Sequence, residues 1–213
     1  CNSLDKVINM RILWKFAASL FVVSFALMFG IGVKASNAVG LAAKDDPIAL
    51  YGKEITFDVF RENRRVGFHT VRFNREGDEL FVNSRFELKI DVLFFTVYRF
   101  LYQSDAVWRG ASINSLKVQV DDNGEAFRLS ANRTGKDMSI RSSAGTTEFQ
   151  GRLFPTNHWN SHVLHERHVL NTLTGQINRV RIEARQRERG PTERGEIEAT
   201  RYAYTGELQT EVW

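Results

Sequence analysis

From residue 52 onward the chain alternates apolar and polar positions with a period of two. In EITFDVFRE, Ile55, Phe57 and Val59 fall on one side and Thr56 and Asp58 on the other. A longer run places Leu80, Val82, Phe86, Leu88, Ile90 and Val92 opposite Phe81, Asn83, Arg85, Glu87, Lys89 and Asp91. Alternation of this kind marks a strand with one buried face. VGFHTVRF continues it, with Gly67 placed for a bulge or a close backbone approach and His69 read as a sheet-face residue. NRR at 63–65 and EGD at 76–78 predict turns. SLKVQVDDNGEAFRLSA predicts a hairpin that turns at Asn123-Gly124, where both residues tolerate positive φ. KDMSIRSS and TTEFQG are weaker strands around Ala144-Gly145. INRVRIEARQRE and EIEATRYAYTGELQTEVW are two more hairpin-like segments, joined by Gly190-Pro191.

Two stretches depart from the pattern. LFFTVYRFLYQSDAVW is apolar on both faces over residues 93–102, and Tyr98, Phe100, Tyr102, Ala106 and Trp108 then share one parity. Such a strand is covered on both sides or faces a greasy cavity. Residues 154–175, FPTNHWNSHVLHERHVLNTLTG, predict the one solid helix: Pro155 and Thr156 can start it, Gly175 can stop it, and Trp159, Val163, Leu170 and Leu173 form an apolar stripe at helical spacing. The expected fold is mainly β: a strongly curved antiparallel sheet or incomplete barrel of about ten strands, with that helix across its hollow side.

The N-terminal part reads differently. Arg11 and Lys15 precede an apolar run at 16–33, and Val33-Lys34-Ala35 and Ser36-Asn37-Ala38 both fit a small-x-small cleavage rule. Residues 1–38 therefore read as a signal peptide with an extension upstream of Met10, the rival being an uncleaved inner-membrane anchor. Residues 39–51 are a linker, and 52–213 a single β-rich domain whose strand pattern still runs at Trp213, as in a chain cut short at its C-terminus. The expected location is the periplasm of a bacterium, with membrane contact only through the N-terminal segment.

Charge and chemistry narrow the function. The chain of 213 residues has a formal charge of +4, but Lys6, Arg11, Lys15 and Lys34 against Asp5 put +3 of it in residues 1–38. The body keeps +1, and its basic stretch at 179–194 interleaves Arg with Glu as a solvated face does, so nucleic acid is not an expected partner. Cys1 is the only cysteine, which removes disulfides, thiolate nucleophiles and Cys-ligated zinc from the body. No nucleophile elbow, Walker loop or dinucleotide fingerprint occurs, and Asp121-Asp122 read as turn acids, so no catalytic residue and no cofactor is expected. Four of the five histidines fall in 154–175. On a helix, His158, His162 and His165 would share a face and could grip a metal. They would flank the apolar stripe on its solvent side, and His165-Glu166-Arg167-His168 has the wrong spacing for one zinc, so wet histidines are the preferred reading.

FDVFRENRRVGFHTVRF, Val107-Trp108, the Pro155-x-x-x-Trp159 entry, Leu173-Thr174-Gly175 and the closing segment at 202–213 together resemble an uncharacterised family of secreted proteobacterial proteins, over residues 52–213. More distantly, the pattern resembles the lipoprotein carriers of the Lol system. That likeness implies an incomplete barrel with a helical lid and an acyl-chain ligand, although those carriers have more than one lid helix. The expected function is a non-enzymatic periplasmic binding protein for a hydrophobic or lipid-like ligand, with Phe94, Tyr98, Phe100, Tyr102, Trp108 and Trp159 as cavity candidates. The alternative is an envelope structural or protein-interaction module without a small ligand.

Overall fold

The computed structural model describes residues 10–11, 46–192 and 195–213. The signal-segment reading and most of the linker lie outside the described residues. A two-residue strand, β1 (Met10–Arg11), runs parallel to β2 (Glu54–Arg61). The helix α1 (Pro47–Tyr51) leads into β2, with Asp46 accepting from the Ile48 amide at 3.2 Å as its N-cap.

Eight strands then form an antiparallel meander in chain order: β2, β3 (Arg64–Glu76), β4 (Glu79–Val92), β5 (Phe95–Arg109), β6 (Ser112–Asp122), β7 (Glu125–Thr134), β8 (Asp137–Ser142) and β9 (Gly145–Gln150). β2 and β9 lie at opposite ends of this order and do not pair, so the sheet is open and no barrel closes. Period-two alternation does its work here. Ile55, Phe57 and Val59 on β2, Val82, Phe86, Leu88 and Ile90 on β4, and Leu116, Val118 and Val120 on β6 are all buried on one face. Asn123 and Gly124 make the predicted two-residue turn, both with positive φ. Gly67 meets both expectations. The β2–β3 register shifts between Val59 and Phe60, opposite Gly67 and Arg65, and a Cβ on Gly67 would collide with the backbone carbonyl of Glu87.

The second sheet runs β10 (Phe154–Pro155), β11 (His168–Leu170), β12 (Ile177–Thr192), β13 (Gly195–Gly206) and β14 (Thr210–Val212). Phe154, Val169, Leu170, Val180, Tyr204 and Val212 from these strands join the same core as the large sheet. The mainly β, antiparallel class therefore holds.

The helix expected at 155–175 does not form. Its place is taken by a strap: β10, a single 3-10 turn at Ser161–His165, β11, and a loop back to β12. Trp159, Val163 and Leu170 are buried, as the stripe required, but side-chain bonds replace helical ones. Thr156 and Thr172 hydroxyls bond across the strap at 3.2 Å, Asn160 caps the His162 amide at 3.0 Å and Asn171 caps Leu173 at 3.0 Å. Asn, Thr and His are weak helix formers because such local bonds compete with the helix. Gly190 and Pro191 do not join two hairpins either. They lie within β12, opposite Ile197 and Glu196, and residues 193–194 are outside the described set.

Gly67→Ala forces the β3 and β4 backbones apart. It should lower unfolding free energy by about 1–3 kcal/mol, measured by urea titration, whereas Gly124→Ala, with open space around it, should cost only its positive-φ strain.

Candidate functional site

The strap crosses the inner face of the large sheet, and Trp159 fixes it there. Its ring meets Phe73 of β3 and Trp108 of β5, each with centroids 5.3 Å apart and edge to face. Its carbonyl accepts from the Tyr51 hydroxyl at 3.3 Å. Phe154 packs on Trp108 at 5.5 Å. Ser84 and Ser104, fully buried cross-strand partners on β4 and β5, add a small polar step to that face.

Around Trp159 runs a buried polar seam. Asn157 Nδ2 donates to Ser104 Oγ at 3.4 Å, the Tyr102 hydroxyl donates to Thr172 Oγ1 at 3.2 Å, and His158 Nδ1 lies 3.2 Å from the Tyr204 hydroxyl. His158 holds a φ of 56°, a conformation that side-chain-bearing residues seldom adopt. Burial pushes its imidazole down to about 4. His69 on β3 sits between Phe57 and Phe86. Burial, and then repulsion from His158, pushes it down to about 3. Burial also raises the Tyr204 phenol and takes Tyr51 up to about 12. The seam is neutral at pH 7. Its chemistry is hydrogen bonding that seats the strap.

The six aromatic candidates separate. Phe100, Tyr102, Trp108 and Trp159 are buried in the core, with Phe100 edge-on to Phe86 at 5.7 Å. Tyr98 stands at the margin, its hydroxyl donating to Asp122 at 2.7 Å, and its phenol is raised by burial and that carboxylate. Phe94 is set apart from the four buried ones. It is 96% exposed, beside Leu93 at 85% and Phe95 at 73%, with Val92 and Val97 about half exposed. These residues are the tip of the β4–β5 hairpin. The doubly apolar stretch at 93–97 is thus not a strand covered on both faces.

The histidines separate as well. His158 points inward, a correction to its expected place on a wet face, because the helix that placed it there is absent. His162 is half-buried and His165 exposed. Among the described residues no three His, Cys, Asp or Glu side chains gather as metal ligands do. Sequence reasoning missed His69 as a core group, although it shares parity with Val71 and Phe73. It missed the apolar tip outright.

At that tip Leu93 carries a φ of 54° in the turn. The adjoining hairpin of the same sheet turns on Asn123-Gly124, which adopts such angles at little cost. Four residues behind the tip, Lys89 of β4 and Arg99 of β5 are direct cross-strand partners on the outer face. Lys89 meets Asp91 at 3.2 Å, and Arg99 makes no ion pair among the described residues.

A family model described as a domain of unknown function (DUF6134) matches residues 57–213. The chain belongs to the DUF6134 family. No curated protein and no solved structure matches it. The matched span begins inside β2 and takes in the strap, the polar seam and the hairpin tip, so all of these lie within the DUF6134 domain.

The two inward histidines give the DUF6134 domain an acid limit. An unfolded histidine protonates near pH 6.5, while His158 and His69 stay neutral in the fold down to about 4 and about 3. Their folded values lie below the unfolded one, so the stability they contribute is complete above pH 6.5 and is lost as pH falls from there toward 4. The slope is up to about 1.4 kcal/mol per pH unit for each histidine. Urea unfolding between pH 6.5 and 4.5 should show this slope, and His158→Gln should roughly halve it.

Proposed function

We propose that this protein is a non-enzymatic binding module of the bacterial envelope, exported to the periplasm, that engages a lipid-like partner through the tip of its β4–β5 hairpin. One observation carries the reading: Leu93, Phe94 and Phe95 project into solvent from the end of a long hairpin. A monomeric surface seldom leaves such a contiguous apolar patch uncovered. Phe100, Tyr102, Trp108 and Trp159 support the same reading by their packing. They fill the inner face, while the exposed large apolar side chains gather at the tip.

A bilayer surface fits the tip better than a protein groove does. A stable protein interface uses roughly 20–30 residues a side, and this is a finger of five. At a strand rise of about 3.3 Å per residue, the Lys89–Arg99 rung stands about 13 Å behind the tip. Apolar side chains at the tip would enter the bilayer ahead of this rung, leaving its cations on the headgroup side. Each buried Leu or Phe contributes roughly 1.5–3 kcal/mol, enough for reversible attachment and far short of a membrane anchor. The distant resemblance to lipoprotein carriers agrees with a lipid-like partner, and the apolar run at 16–33 agrees with export.

Leu93→Asn with Phe94→Gly tests the reading against the fold. The replacement turn suits positive φ, so the melting temperature should hold or rise. Co-sedimentation with vesicles of phosphatidylethanolamine and phosphatidylglycerol should fall at least tenfold. Unchanged co-sedimentation would defeat the proposal.

A further inference from the structure

The second sheet carries a groove that shares no residue with the hairpin tip. It lies between the end of the 3-10 turn, β11, β12 and the end of β13, with a volume of about 940 Å³. Leu164, Val180 and Ile182 supply its apolar lining, and Arg167, Arg179 and Arg181 its cations. The groove stays open because β11 pairs with β12 only as far as Arg179. Beyond that residue, β12 has no strand on that side among the described residues.

The acids of the groove are already engaged. Glu166 is ion-paired with Arg152 at 2.8 Å. Glu207 accepts from the backbone amide of Arg179 at 2.7 Å. The cations are not. Arg167 and Arg179 make no side-chain ion pair among the described residues, and Arg181 has only a loose contact with Glu183 at 3.9 Å. Further along β12, Arg187 pairs with Glu198 at 3.1 Å, and Arg189 has a contact with Glu196 at 3.8 Å as loose as that of Arg181. Arg167 and Arg179, which make no ion pair among the described residues, both stand beside the apolar lining. Arg179 and Arg181 stand two apart on β12 and share one face of the strand, with Val180 and Ile182 on the other; the groove takes in both pairs because it lies along the open edge of the strand.

We infer that this groove binds an anionic amphiphile, its phosphate or carboxylate head held by Arg167, Arg179 and Arg181 and the first part of its tail laid against Leu164, Val180 and Ile182. Guanidinium groups take such heads with paired, charge-assisted hydrogen bonds. Drug-sized ligands occupy sites of roughly 300–1,000 Å³, so the groove has room for a head and a short length of chain. The inference shares the lipid-like ligand class with the function proposed above and uses none of the same residues.

Isothermal titration calorimetry on the full chain with dodecyl phosphate, inorganic phosphate and dodecyl maltoside tests it. Dodecyl phosphate should bind one to one, at least tenfold more tightly than either comparison compound, and more weakly as salt rises. Arg167→Gln with Arg179→Gln should weaken it at least tenfold, as should Ile182→Asp. Arg187→Gln with Arg189→Gln should leave it unchanged. All four arginines are exposed, so these variants keep the fold, which a thermal melt verifies. Leu93→Asn with Phe94→Gly should retain dodecyl phosphate binding even where vesicle binding is lost, which separates the two proposals. Equal affinity for inorganic phosphate would reduce the site to a bare anion contact. Equal affinity for dodecyl maltoside would remove the role of charge. Either result overturns the inference, as would full affinity in the Arg167/Arg179 variant.

Discussion

The large sheet has one apolar face, and that face must be covered. Everything else in the molecule follows from how Trp159 covers it. Its indole bridges Phe73 and Trp108 across β4, so the strap that carries it cannot lie elsewhere. Once the strap is down, Asn157, His158 and Thr172 are carried under it, where water cannot reach them. Buried polar groups need partners, and Ser104, Tyr204 and Tyr102 each provide one, to Asn157 Nδ2, His158 and Thr172 in turn, while Asn157 Oδ1 has none. The second sheet is in turn held in place, because Tyr204 belongs to β13 and Val169 and Leu170 to β11. A single aromatic side chain, through its two ring contacts, thus sets the order of the layers.

The sheet was legible in the sequence because period-two alternation is a direct image of which side chains face the core. Strand after strand, the residues of one parity are the buried ones. The strap was not legible for a related reason. Burial at Trp159, Val163 and Leu170 fits a helical stripe, yet a strap pinned at irregular intervals buries the same residues. Spacing reports which side chains go inside and not which backbone takes them there. The better signal lay in the residues between them. TNHWNSH and LNTLT are rich in side chains that bond the nearby backbone, and here they do so at Asn160, Asn171 and Thr174.

The departure at 93–97 has a different cause. Apolar residues on both faces of a strand ordinarily mean that both faces are covered. A hairpin tip shows the same composition when its side chains are meant for something outside the chain, and sequence alone has no symbol for that difference. Only β4 and β5 being the longest adjoining strands of the meander, at 14 and 15 residues, lets their shared end project while the buried part of the hairpin stays anchored through Phe86, Phe100 and Trp108.

The turn chemistry of the large sheet isolates where fold and function part. At Asn123-Gly124 local preference and the sheet agree, and Asp121 adds a 2.7 Å bond to the Gly124 amide. Gly77 and Gly110 supply positive φ at two other turns. At Leu93-Phe94 local preference and the sheet disagree: the backbone requires a left-handed residue, and a branched apolar side chain occupies it. A left-handed L-residue costs roughly 1–2 kcal/mol, and exposing three large apolar side chains to water adds to that. Neither cost is recovered within the chain, since no described residue covers the tip. Glu62 also holds a positive φ, in the β2–β3 turn, but Leu93 is the one apolar side chain among the described residues that does so. A partner that removes Leu93, Phe94 and Phe95 from water would offset that cost, so the strain and the exposure point to the same end of the molecule.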